Sequence, residues 1–199
     1  MPDRTLYKVF IFGEIDEKMK QKINLQLANI ALVANKNDVL VVIINSMGGY
    51  RKPALDIIEN ITALNLPILT VGYDFVGSAA TLLLACGQYR VLTRGTPVVH
   101  HKGKLKLTIE EKLYEHTELI DLAMRLLKMA KKTAKEHDHF YDLATRGSHI
   151  NGHDLQKLIL QAKGEDLYFP NQDAKKLGLV HDVIPSLRHV RSYIAKKIK

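Results

Sequence analysis

The sequence predicts an α/β fold built on a mostly parallel sheet, and two observations carry that reading. Short runs rich in β-branched residues recur, "YKVFIF" (7–12), "VLVVII" (39–44) and "PILTVG" (67–72), apolar almost throughout, as in strands covered on both faces. Between them lie segments of helical period, and strand, helix, strand is the parallel crossover unit.

Each element follows from its local pattern. Met19, Ile23, Leu27 and Ile30 recur at helical spacing and make 16–34 an amphipathic helix. Pro53 opens a second helix carrying Ala54, Ile57, Ile61 and Leu64. The apolar segment 78–86 is a helix buried on most sides, followed by strands "YRVLT" (89–93) and "PVVHH" (97–101). From about Thr108 to Glu136 the spacing predicts a long charged helix with Ile109, Leu113, Ile120, Met124 and Leu127 along one stripe. That stripe exceeds what one sheet face could cover, so the helix is expected to project and self-associate. "YDLATRG" and "DLQKLILQ" read as further short helices. The α/β texture returns with "LYF" (167–169), a helix over 171–177 stopped by Gly178, and "LVHDVI" (179–184). "LRHVRSYIAKKIK" closes the chain as a basic helix.

The bulk composition bounds the function. The 199 residues, 46% hydrophobic and 25% charged, suit one compact domain with a real core. Its parts are a core at 7–101 and 165–184, a helical handle at about 104–164 and a tail at 186–199. No stretch reaches the roughly 18 apolar residues that span a bilayer, and Lys18 and Lys20 rule out a signal peptide, so no membrane is expected. The single cysteine, Cys86, excludes a disulfide framework and points to a cytoplasmic home. The +8 net charge is dispersed and accompanied by no nucleic-acid motif, so it reads as a solvated basic face. His137 and His139 find no third ligand at useful spacing, and no glycine-rich phosphate loop is present. Neither a metal nor a cofactor is expected.

The chemistry centres on "FVGSAATLLLACG" (75–87). Of five serines, Ser78 alone stands at a strand-to-helix junction among small neighbours, Gly77, Ala79 and Ala80. Such a serine is commonly only a helix cap. As a nucleophile it requires an imidazole to take its proton, a carboxylate to hold that ring, and backbone N–H donors for the oxyanion. "INSMGG" (44–49) follows a buried strand and ends in two glycines that can turn an N–H toward a pocket, and "VVHH" places two histidines at a strand end.

These pieces, in this order, resemble the proteolytic subunits of Clp proteases. The matching segments are "FGEID" (12–16), "INSMGG" (44–49), "GSAATLLLACG" (77–87), "PVVHH" (97–101), "EDLYF" (165–169) and "DAKKLGLVHDVI" (173–184), and they span roughly residues 7 to 184. The resemblance implies a crotonase-type spiral of strand–helix–strand units with a long-helix handle. It implies a serine-type endopeptidase with Ser78 as nucleophile and Asp166, twelve residues before Gly178, as the orienting carboxylate. Gly49 and Ala79 would supply the oxyanion donors, and the loop after Gly49 would take the substrate backbone as an added strand. The histidine is open. Matching "VVH" to the family's apolar-apolar-His selects His100, whereas counting forward from Arg90 selects His101. Neighbouring strand residues point to opposite faces, so only one can meet Ser78; the preceding apolar residue favours His100.

The resemblance further implies a homo-oligomer of stacked rings joined through the long helix, enclosing sites that act on peptides or unfolded protein. Several departures qualify it. The chain begins at its first core strand, without the family's leading segment that meets a hexameric unfoldase, which argues against an AAA+ partner. Asp74 and Phe75 replace small residues, Met47 replaces a proline, and extra residues precede Asp166. Two other readings stay open: an inactive or regulatory Clp-like paralogue, and a crotonase-fold enzyme acting on an acyl thioester through an oxyanion hole alone.

Overall fold

The computed structural model describes residues 4–101, 115–162 and 166–198. Strand β1 (Leu6–Ile15), helix α1 (Glu17–Val33) and strand β2 (Val39–Gly49) form the first crossover unit. Asp16 starts α1 by accepting the Met19 N–H at 2.7 Å, and Ile23, Leu27 and Ile30 form its buried face. Helix α2 (Arg51–Ala63), strand β3 (Ile68–Gly77), helix α3 (Ala80–Ala85) and strand β4 (Tyr89–Thr93) repeat the pattern. Strand β5 (Val98–His100) leads to the residues preceding helix α4 (His116–Ala144), then come α5 (Gly152–Gln161), strand β6 (Leu167–Phe169), α6 (Asn171–Lys176) and strand β7 (Asp182–Ile184). A 3-10 turn (Leu187–His189) enters α7 (Val190–Lys197).

The sheet order is β1-β2-β3-β4-β7, with every neighbouring pair parallel. Strand β3 pairs with β4 along Leu69–Gly72 and with β5 at Val76 and Gly77, so the sheet splits at the point where β3 approaches Ser78. Strand β6 then runs antiparallel to β5. One sheet face packs Val9, Ile11, Val42 and Ile44 against α1, α2 and α3. The other face buries Val41, Ile43, Leu69, Val71 and Val91 under Val190, Ile194 and Ile198 of the closing segment. The i, i+4, i+8 spacing of those three residues turns a mostly basic helix into a cover for the sheet.

Several boundaries differ from the sequence expectation. Strand β2 runs to Gly49, not 44, because Glu14 and Ile15 of β1 pair with Gly48 and Gly49. Helix α2 begins at Arg51, two residues before Pro53, which sits in the first turn where its missing N–H costs nothing. The expected loop after Gly49 is therefore Tyr50 alone. Strand β3 likewise continues past 72 through a bulge: Ile44 pairs with Gly72, Ser46 with Val76, and Asp74 takes φ 67° between them. Helix α4 continues through "YDLA" because no glycine or proline interrupts it before residue 147, so no separate helix forms there. Its expected start near Thr108, with Ile109 and Leu113 of the stripe, lies outside the described residues, as does Glu165 of "EDLYF". Only the last turns of α4 are buried, at Tyr141 and Ala144, while Leu119, Ile120, Met124 and Leu127 are exposed. Gly178 ends α6 at φ 73°, and a Cβ there would lie 2.9 Å from the His149 nitrogen.

Candidate active site

Ser78 follows the last residue of β3 with φ 49°, a left-handed conformation that an ordinary side chain adopts only when its surroundings enforce it. Two contacts enforce it. Its N–H donates to the Val99 carbonyl at 2.9 Å, and its carbonyl accepts from the Thr81 N–H at 2.9 Å and the Thr81 hydroxyl at 2.7 Å. The serine is thus clamped between β5 and the first turn of α3, at a sharp strand-to-helix bend that borders a cavity. Ser78 Oγ makes no hydrogen bond to a described residue, and neither does the Ala79 N–H beside it.

Gly48 closes the other side. A Cβ at this position, where φ is 105°, would fall 2.6 Å from the Ser78 Cβ and 2.9 Å from the Ala79 nitrogen. Gly49, at φ 147°, presses against the Ile15 backbone, where a Cβ would meet the carbonyl oxygen at 2.5 Å. Both glycines are therefore required by close backbone approach. The turn before them is held by Ser46, a buried serine that sequence reasoning passed over: its hydroxyl donates to the Gly13 carbonyl at 2.5 Å and accepts the Gly48 N–H at 3.0 Å.

A cavity of about 250 Å³ gathers Gly49, Ser78, Ala79 and His101, with His100 at its back. Tyr50 and Arg51 form one wall, and His137, Phe140 and Tyr141 of α4 form another. The Tyr141 hydroxyl donates to the His101 carbonyl at 3.5 Å. These α4 residues were missed because the helical stripe was read to stop near Glu136. Phe140 and Tyr141, each one helical turn before Ala144, were the available signal.

The two histidines have opposite surroundings. His100 is 1% exposed, and neither ring nitrogen has a hydrogen-bond partner. Its ring meets Phe169 edge-on, centroids 6.1 Å apart. Burial, and then the neighbouring His101, push its imidazole down to about 3, so the ring is neutral at any ordinary pH. His101 follows the strand and is half-buried.

Asp166 is exposed and precedes β6 by one residue. The β5–β6 ladder pairs Val98 with Phe169, Val99 with Tyr168 and His100 with Leu167 and ends there; His101 and Asp166 are the residues that flank its last pair. Neither Ser78 Oγ nor the Asp166 carboxylate makes a hydrogen bond to either histidine. Among the described residues no group of three or more His, Cys, Asp or Glu could hold a metal ion, and His137 and His139 lie in no such cluster. No helix among them is long and apolar enough to cross a membrane.

Comparison with known proteins matches residues 5–186 to the model of the Clp protease family. The ATP-dependent Clp protease proteolytic subunit 3 of Rhizobium meliloti is 23% identical over 186 residues, which cover 92% of this chain and 85% of that protein. A mutant ClpP1 from Listeria monocytogenes superposes with a TM-score of 0.73 at 18% identity, over 91% of this chain and 92% of the other. The ClpP protease catalytic domain from Plasmodium falciparum gives 0.68 at 19% identity, over 90% and 86%.

Proposed function

The chain belongs to the Clp protease family, and on that footing we propose that it is a serine-type endopeptidase acting through Ser78, His101 and Asp166. The strained Ser78, lining a cavity beside an Ala79 N–H that meets no described residue, is the observation that carries this reading. Ser78 Oγ attacks the carbonyl carbon of a peptide bond while an imidazole takes its proton. The carbonyl oxygen, now negative, lies against the N–H groups of Ala79 and Gly49. The same imidazole returns the proton to the leaving amine, and water then cleaves the acyl-serine by the reverse sequence of proton transfers.

His101 suits the base better than His100. At His100 burial opposes the charge that the base must take up, whereas His101 is half-buried, lines the cavity with Ser78, and flanks the last β5–β6 pair as Asp166 does. Asp166 holds the ring tautomer once the hydrogen bond closes. Apo sites commonly carry catalytic hydrogen bonds that tighten only with substrate bound. The exposed α4 stripe supports a homo-oligomer in which protomers pack handle to handle, enclosing the sites in a chamber open to peptides or unfolded chains. Cleavage without an AAA+ unfoldase and a cytoplasmic setting belong to the same proposal.

The open triad also favours a second reading, a regulatory subunit that assembles with an active one. Reaction with a fluorophosphonate followed by peptide mapping separates the two. Label on Ser78, abolished in Ser78→Ala, supports the peptidase; an unlabelled, folded protein overturns it.

A further inference from the structure

The opposite, amino-terminal end of β3 and β4 borders a second cavity, of about 730 Å³. Its charged lining is Lys36, Arg90 and Arg146, joined by His181, with no carboxylate among the lining residues. Arg90 is 4% exposed, and a buried charge normally has a counter-ion. Here, among the described residues, the guanidinium meets three carbonyls, those of Arg146, Gly147 (2.8 Å) and Gly178 (3.1 Å), and the His181 ring, but no carboxylate, and its Nε has no partner.

His181 sharpens the imbalance. Its Nδ1 lies 3.1 Å from the Arg90 backbone N–H, and its Nε2 lies 3.3 Å from Arg90 Nη2. Both partners are donors, and a neutral imidazole has one accepting nitrogen. Whichever tautomer is present, one ring N–H faces another N–H. An acceptor carrying negative charge would suit this set of donors.

We infer that this cavity is an anion site, in which Arg90, His181, Lys36 and Arg146 hold a small molecule bearing two or more phosphate or carboxylate groups. The cations come from three separate segments, before β2, after α4 and along β4–β7, and the volume exceeds that of a single ion. Cys86 also lines the cavity, but burial pushes its thiol up to about 12, so it brings no nucleophile. The site binds and does not react, and it is independent of the chemistry at Ser78.

Thermal unfolding of the full chain, titrated with inorganic pyrophosphate, citrate or orthophosphate and matched with potassium chloride at equal ionic strength, tests this. Pyrophosphate or citrate should raise Tm saturably, by roughly 5–10 °C at a hundredfold excess over Kd. Whichever acts identifies the headgroup. Arg90→Ala risks the fold, so the variant is Lys36→Ala/Arg146→Ala, whose side chains are exposed; it should fold normally and bind at least tenfold more weakly. A shift no larger than that of chloride, or one undiminished in the double variant, overturns the inference.

Discussion

Gly48 packs so closely on Ser78 that a Cβ at position 48 would lie 2.6 Å from the serine's own Cβ. The glycine and the nucleophile are therefore one steric unit, with Ala79 N completing it. Gly48→Ala adds a methyl group where φ is 105° and no space exists. The strain should cost about 1–3 kcal/mol of stability. Displacing Ser78 or the oxyanion donor should cost about 10²-fold in kcat/KM for peptide hydrolysis. Calorimetry and a fluorogenic peptide assay measure both; a folded variant of unchanged activity would refute the coupling.

Exchange of the two histidines separates base from filler. His101→Ala should lower kcat/KM by about 10³–10⁴-fold, whereas His100→Leu should leave it within a few-fold. The converse pattern would assign the base to His100 and reject the present geometry.

The same pair gives a pH signature. Unfolded, His100 titrates near about 6.5; folded, it is depressed to about 3. Between these values the unfolded chain takes up a proton that the folded chain refuses. Stability from this group is therefore complete above about pH 6.5 and is lost as pH falls toward 3, by about 1.4 kcal/mol per unit. His100→Leu removes the effect and the unpartnered ring together. Its stability loss between pH 7 and pH 5 should be about 2 kcal/mol smaller than that of the parent, read from urea midpoints. Parallel curves for the two proteins would contradict a buried neutral imidazole.

The limits of sequence reading can be traced to particular residues. Strands 39–44 and 67–72 were legible because β-branched runs bury themselves whatever their neighbours. Of their extensions, "NSMGG" is a poor strand former and "YDFVG" is broken by Asp74 and ended by Gly77, and both pair because β1 and β5 offer ladders at the right register. The strand-to-helix junction at Ser78 was legible through its small neighbours. The contrast between a buried His100 and a half-buried His101 was not, since it depends on the pairing of β5 with β3 and β6, one of them almost seventy residues away. The sheet cover of α7 was hidden for a related reason: three apolar residues among basic ones look like a solvated helix until Val41, Val71 and Val91 are known to need a partner.

That cover has a measurable weight. Ile194 is 5% exposed against the sheet, and the Arg4 guanidinium clamps the segment by donating to the Ile198 carbonyl at 2.7 Å. Ile194→Ala should cost about 2–4 kcal/mol, seen as a lower urea midpoint at unchanged m-value. A loss under about 0.5 kcal/mol would place α7 outside the cooperative unit.

The last expectation concerns assembly. Leu119, Ile120, Met124 and Leu127 are each about half exposed along a helix whose buried residues lie only at its far end. A row of this kind on a projecting helix favours pairing with its copy, because each apolar side chain removed from water contributes about 1.5–3 kcal/mol at full burial. Met124→Glu/Leu127→Glu sets charges into that seam. Native mass spectrometry should then show a smaller species than the parent, with circular dichroism unchanged because the substitutions face away from the core. Peptide cleavage should fall with the mass if the cavity at Ser78, walled by His137, Phe140 and Tyr141 of the same helix, depends on the handle being held in place. An unchanged mass would exclude this stripe as the contact between protomers, and full activity in the dissociated form would show that the wall is set within one chain.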